Sequence, residues 1–305
     1  MQKKHSKRGA LKEAPEFHKG KQPLISVMMP VYNMAGDRAL HTAVLSVLHQ
    51  TYKNWELLLC DDGSTDGTVR VLRQFASMDG RVCVIQNPQN RGAGAARNAC
   101  IRAAKGKYLA VMDADDISDP TRLEQQASFL EGNPEYALVG SNVWMRNRQG
   151  IWGRRSMEQE PGRQSFLNTL PFAHPSVMMR TDIVKKMHGY STARFARRAE
   201  DYELLMRLYA AGYRGFNIQE ELLSYLEEPG SYQKRKYRDR AAECVVRFQG
   251  FHRLGILKGS LRYVLKPLAV GLVPGWMQRA YRKKRFAVQK PPSENKRSKE
   301  IGNRK

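Results

Sequence analysis

Between residues 23 and 116 the chain alternates short apolar runs with segments of helical periodicity. LISVMMPV, NWELLLCD, RVCVIQ and KYLAVM are too short for helices and are bounded by turn residues, so they read as strands. RALHTAVLSVLHQ between them sets Leu40, Val44, Leu45, Val47 and Leu48 at helical spacing, and TVRVLRQFASM and GAGAARNACIRAA follow as further helices. Strands joined through helices form βαβ units, which demand a parallel sheet covered on its faces. In open parallel sheets, ligands bind beyond the carboxyl ends of the strands. The acidic stretches DDGSTD (61–66) and DADD (113–116) fall at two such ends.

Past Pro120 the order is less regular. TRLEQQASFLEGNPE predicts a helix, and YALVGSNVWMRN with GIWGRRS an antiparallel pair. A mixed stretch through HPSVMMR follows, then the helix EDYELLMRLYAAG, with Leu204, Leu205 and Leu208 on one face, and a strand.

Charge divides the 305 residues into regions. Residues 1–22 carry 7 Lys/Arg against 2 Asp/Glu, and residues 231–305 carry 21 against 4, so only +1 of the net +23 belongs to 23–230. The predicted organisation is a flexible basic lead (1–22), a near-neutral α/β domain (23–230), a basic amphipathic helical region (231–288) and a disordered tail (289–305). With 41% hydrophobic residues, the body is expected to bury a full core. Cys60, Cys83, Cys100 and Cys244 lack the spacing of a metal knuckle or redox motif and read as reduced thiols. The first residues contain no apolar signal segment, and no run of apolar residues is long enough to span a bilayer.

The acidic ends carry the chemistry. Asp113, Asp115 and Asp116 lie within four positions and repel one another unless a cation joins them. Carboxylates of this kind suit Mg²⁺ or Mn²⁺ held together with substrate phosphates. The plainer reading is a turn that starts the next helix at Asp119-Pro120. GAGAAR lacks the third glycine of a dinucleotide fingerprint, yet a glycine-rich helix start followed by Arg97 can approach a diphosphate.

PVYN (30–33), DDGSTD (61–66), GAGAARN (92–98), MDADD (112–116), HPSVMMR (174–180) and EDYELLMRL (200–208) together resemble family 2 glycosyltransferases, in the family's order and over residues 23–226. The resemblance implies a GT-A fold: a Rossmann-like, mostly parallel α/β sheet flanked by helices, here with a basic C-terminal helical appendage. It implies inverting transfer from a nucleotide-sugar, commonly UDP-linked, with Mn²⁺ or Mg²⁺. By position, Pro30, Val31 and Tyr32 match the nucleoside pocket, and Asp62 matches the contact to the base. Arg97 matches a site near the diphosphate, and Asp113 the contact to ribose or sugar. Asp115 matches the metal ligand. His174 matches a position near the donor phosphates and is a second candidate ligand, with a packed turn histidine as the alternative. Asp201 matches the catalytic base, with its neighbour Glu200 the other candidate. Cys100 stands where the family often has glycine.

The basic C-terminal region interleaves cations with Leu, Val, Trp and Tyr, and its apolar segment PLAVGLVPGWM is short and interrupted. An interfacial helix pair backed by Arg282, Lys283, Lys284 and Arg285 suits an anionic membrane surface, which would bring the chain to a saccharide or lipid-linked acceptor on the cytoplasmic face of the cell membrane. YRDRAAECVVRFQGFHRLGIL predicts a helix with Cys244, Val245, Phe248 and Leu254 toward one side. No nucleic-acid module is recognised, so no nucleic-acid partner is expected. Two other classes share parts of this pattern: a nucleotidyltransferase, which also uses paired aspartates, and a non-catalytic nucleotide- or nucleic-acid-binding protein.

Overall fold

The computed structural model describes residues 22–228 and 236–287. The expectations for the basic lead (Gln22 apart) and for the tail at 289–305 fall outside those residues.

β1 (Ile25–Val31), β2 (Trp55–Asp61), β3 (Val82–Gln86) and β4 (Tyr108–Val111) pair in parallel in the order β3-β2-β1-β4. Three helices make the crossovers: α1 (Arg38–Leu48), α2 (Thr68–Met78) and α3 (Ala93–Ala103). β1 is buried almost throughout because helices cover both faces of the sheet, which is why its sequence is continuous rather than alternating in polarity. In α1, Asp37 caps the start by accepting from the Ala39 amide at 2.9 Å, and Leu40, Ala43, Val44 and Val47 form the buried stripe. Leu45, predicted on that stripe, is exposed instead.

The second half of the sheet is mixed. β5 (Ile117–Ser118) leads into α4 (Arg122–Gly132), and β6 (Leu138–Asn147) and β7 (Gly150–Arg155) are the expected antiparallel pair. β8 (Met178–Arg180) runs antiparallel between β4 and β6, and the short α5 (Thr181–Lys186) follows it. α6 (Glu200–Ala210) leads to β9 (Gly215–Leu226), which pairs parallel with β6 and antiparallel with β5. One core lies under α1, α2 and α4, around Val44, Leu72, Phe75 and Leu123. The other lies under α3 and α6, around Cys100, Leu204, Leu208 and Phe251.

The basic region folds as α7 (Tyr237–Arg253), α8 (Leu261–Leu272) and α9 (Gly275–Phe286). α7 packs on α6 with a face that only partly matches the one predicted: Leu254 is buried and Cys244 half-buried against the core. Val246, Gly250 and Phe251 are buried, while Val245 and Phe248 are exposed. The reason is a buried Glu243–Arg247 pair at 2.9 Å, which polar patterning assigns to solvent.

From β1 the chain proceeds outward to β2 and β3, then returns to place β4 on the other side of β1. This reversal opens a crevice beyond the ends of β1 and β4. The turn after β2 stiffens one wall of it. Ser64 Oγ accepts from the Asn33 amide (2.9 Å), Thr68 Oγ1 from Met34 (2.7 Å) and Asp66 from Ala35 (3.1 Å). Gly63 makes this turn feasible: its φ is +70°, and a Cβ there would lie 2.4 Å from the Gln89 carbonyl carbon. Gly63→Ala is therefore expected to lower unfolding free energy by about 2–3 kcal/mol in urea titrations, through left-handed strain plus the clash.

Candidate active site

A cavity of about 760 Å³ occupies the crevice. Pro30, Val31 and Tyr32 line it from the end of β1, Asp62 from the end of β2, and Asp113 and Asp115 from beyond β4. The start of α3 adds Gly92 to Ala95 and Arg97, and Glu200 enters from the first turn of α6. Eight of the residues singled out in the sequence thus share one cavity. β4 ends at Val111, so Asp113 and Asp115 lie in the following turn, and both face the cavity.

A second pocket of about 160 Å³ adjoins the first, sharing Arg97, Asp113, Arg198 and Glu200 with it. His174 and Asp201 line this smaller pocket and do not line the larger one. His174 is buried against Tyr190, with Nε2 and the phenol oxygen 3.0 Å apart. Burial, reinforced by the Arg97 charge, holds its imidazole well below the usual range, so it is neutral at pH 7.

Arg97 joins the acidic groups. Its guanidinium is buried and donates to Asp113 Oδ1 at 2.7 Å, and it lies 3.5 Å from Glu200 Oε1. The close fit of α3 to α6 helps, because a Cβ on Gly94 would lie 3.2 Å from Glu200 Cγ. Arg97 was expected near a diphosphate; it lines the cavity, with its charge shared between two carboxylates. Asp62 likewise has a structural duty. It accepts from Asn87 Nδ2 (2.9 Å) and from the Arg91 (3.1 Å) and Gly92 (2.6 Å) amides, fixing the loop that starts α3.

The three acids after β4 part company. Asp113 meets Arg97, whereas Asp116 is fully buried and accepts from the Leu226 amide at 2.8 Å. Burial, then the charges of Asp115 and Asp113, keep Asp116 well above the normal carboxylate range. Asp115 remains for the cavity. Burial and the neighbouring Asp113 charge push its carboxyl up to about 6, although Arg146 nearby pulls it down. The backbone oxygen of Asp115 is itself held by Arg146.

Of the three acids, Asp115 is the one best placed to contact a divalent cation. Asp115 is a hard oxygen donor whose charge is penalised by burial and by Asp113, the condition a cation relieves. Among the described residues no group of three or more His, Cys, Asp or Glu could hold a metal. Substrate phosphates and water would complete the shell, as is ordinary for Mg²⁺ and Mn²⁺.

One wall had no assignment from sequence. Ser191 to Arg194, Arg197 and Arg198 line the cavity, and Arg197 reaches Asn90 at 3.4 Å. The signal was present in RFARR, one residue ahead of EDYEL, where three cations occupy five positions.

Comparison with known proteins settles the family. The model of glycosyl transferase family 2 matches residues 26–196, more than half of the chain. This chain belongs to glycosyl transferase family 2. The Bacillus subtilis protein EpsE, named as a glycosyltransferase, is 36% identical over 88% of this chain and 96% of its own length. WfaP of Escherichia coli, a UDP-Glc:alpha-D-GlcNAc-diphosphoundecaprenol beta-1,3-glucosyltransferase, is 29% identical over 71% of this chain and 82% of its own. Among solved structures, S. aureus TarS (residues 1–349) in complex with UDP-GlcNAc superposes with a TM-score of 0.62 over 78% of this chain and 72% of that one, at 19% identity. The fold is GT-A-like: a curled α/β sheet flanked by helices, with the C-terminal helices added.

The Asp115 environment yields a pH prediction. A carboxyl raised from an ordinary value near 4 to about 6 costs the metal-free fold nothing below pH 4, and the penalty grows as pH rises through 6. Asp115→Asn should therefore stabilise the metal-free protein at pH 8 by about 1–2 kcal/mol and leave it unchanged at pH 4. Melting curves at the two pH values test this. Mn²⁺ should raise the melting temperature of the parent protein at pH 8 and not that of the variant.

Proposed function

We propose that this family 2 enzyme is an inverting, divalent-cation-dependent transferase. It moves a hexosyl or N-acetylhexosaminyl group from a UDP-sugar to a hydroxyl of a saccharide or lipid-linked acceptor, in the assembly of cell-surface polysaccharide at the cytoplasmic face of the membrane. The observation that carries the reading is the meeting of Asp113 and Asp115, from the end of β4, with Glu200 and Asp201, from the start of α6, around two adjoining pockets.

The roles follow from position. Tyr32 is half exposed at the cavity wall and offers a face for a base, while Pro30 and Val31 form the apolar floor beside it. Asp62 receives a base N–H with the lone-pair capacity left by its three protein donors. Asp113, fixed by Arg97, turns its remaining acceptor capacity to ribose or sugar hydroxyls. Asp115 would hold Mn²⁺ or Mg²⁺, which would supply Lewis-acid stabilisation of the charge developing on the departing diphosphate, while His174, in the smaller pocket against Tyr190, would sit near the donor phosphates and not on the ion.

Asp201 takes the acceptor hydroxyl proton as that oxygen attacks the anomeric carbon. One bond forms from the acceptor oxygen, the bond to the diphosphate breaks, and the proton ends on the carboxylate. Attack from the face opposite the leaving group inverts the anomeric centre. Glu200, paired with Arg97, orients the start of α6 beside it. The WfaP name supports a UDP-linked donor and a lipid-diphosphate acceptor, and the TarS complex supports a nucleotide-sugar in this kind of crevice.

Turnover of a UDP-sugar panel with Mn²⁺, read as nucleotide release, tests the reading. Asp201→Asn should lower kcat by roughly 10²–10⁴ with little change in donor KM. Asp115→Ala should abolish turnover at every Mn²⁺ concentration. Full activity in either variant contradicts the assignment, and release of pyrophosphate in place of UDP would make the protein a nucleotidyltransferase.

A further inference from the structure

α8 has two faces. Val264 and Pro267 are buried, and Gly271 sits against Arg240 and Tyr237 of α7 so closely that a Cβ would lie 2.7 Å from the Arg240 side chain. Leu261, Leu265 and Leu272, spaced by four and seven residues, form one stripe on the outward side. The stripe continues past Pro274 into Trp276 and Met277 at the start of α9. Leu272 is 77% exposed and Trp276 64%, values that a water-facing helix corner has no physical reason to select.

The surrounding charge is one-signed. No Asp or Glu occurs from residue 244 through 287, whereas residues 258–287 carry eight Lys or Arg. Arg279, Lys283 and Lys284 are exposed along α9. No described helix is long and apolar enough to cross a membrane.

We infer that the α8–α9 corner docks on an anionic phospholipid bilayer, with Leu272, Val273 and Trp276 seated among the headgroups and acyl ends and the α9 cations on the phosphates. Apolar burial together with cation–lipid attraction is what this combination suits. A nucleic acid would use the cations but leave the leucine stripe in water. A second copy would bring like charge against like charge. This surface is separate from the cavity, and the inference does not depend on the transferase reading.

The docked corner would have a fixed relation to the catalytic residues. α7 is held to α6 by Arg253–Glu203 at 3.1 Å, and to the cavity wall by Arg198–Asp239 at 3.8 Å. A bilayer under α8 and α9 would therefore set the height of Glu200 and Asp201 above the lipid.

Flotation of the full chain with vesicles tests this. The protein should float with phosphatidylglycerol-containing vesicles and not with pure phosphatidylcholine. Leu272→Ser/Trp276→Ser should lose partition by roughly tenfold or more, with an unchanged melting curve, since both positions are exposed. Lys283→Gln/Lys284→Gln should weaken it by roughly fivefold per cation and remove part of the salt dependence. Brominated lipid should quench the parent fluorescence and not that of Trp276→Phe. Equal partition of parent and Leu272→Ser/Trp276→Ser would overturn the inference. So would a parent that forms dimers through this corner, or binds RNA, without floating on lipid.

Discussion

The buried guanidinium of Arg97 is the contact on which the site depends. It stands between Asp113, at the end of β4, and Glu200, at the start of α6. These elements are far apart in sequence, and α6 leads into the mixed half of the sheet while β4 ends the parallel half. Without a cation between them, two partly buried carboxylates would repel, and the crevice would have no reason to close around a substrate. Breaking a buried pair of this kind typically costs 3–5 kcal/mol, of order half the stability of an ordinary domain. Arg97 thus ties the β4 side of the crevice to the side that carries Asp201.

The same contact explains how a short acidic stretch divides its labour. Asp113 is neutralised by Arg97, Asp116 is withdrawn into the protein against the Leu226 amide, and Asp115 is left beside the cavity with its charge poorly compensated. An acid in that position gains most from a cation. The local instability and the proposed function are two descriptions of one arrangement.

Much of this was legible in the residues. The alternation of apolar runs with helical segments specified β1 to β4 and their parallel pairing, because only a sheet covered on both faces buries nearly all of LISVMMPV and WELLLCD. The acidic turns after β2 and β4 marked the crevice. What was not legible involves contacts between distant segments. Half of the predicted α7 face, Val245 and Phe248, points to solvent because the Glu243–Arg247 pair is buried, and charged residues ordinarily mark the solvent side. The separation of His174 from Asp115 depends on how β8 enters the sheet beside β4, which no local spacing encodes. The arginine-rich wall at 194–198 was visible as composition, but only the fold turns it toward the cavity.

If Asp115 makes this cavity a cation-assisted site for a nucleoside diphosphate, UDP binding depends on both the ion and that carboxylate. Thermal unfolding with UDP, with and without Mn²⁺, in the parent protein and in Asp115→Ala, tests it most directly. A ligand confined to the native state at about 100 times its Kd stabilises by about 2.7 kcal/mol, which shifts a melt by a few degrees. The expected result is a UDP shift in the parent protein that requires Mn²⁺ and disappears in Asp115→Ala. A shift of equal size without Mn²⁺, or one that survives the substitution, would contradict it.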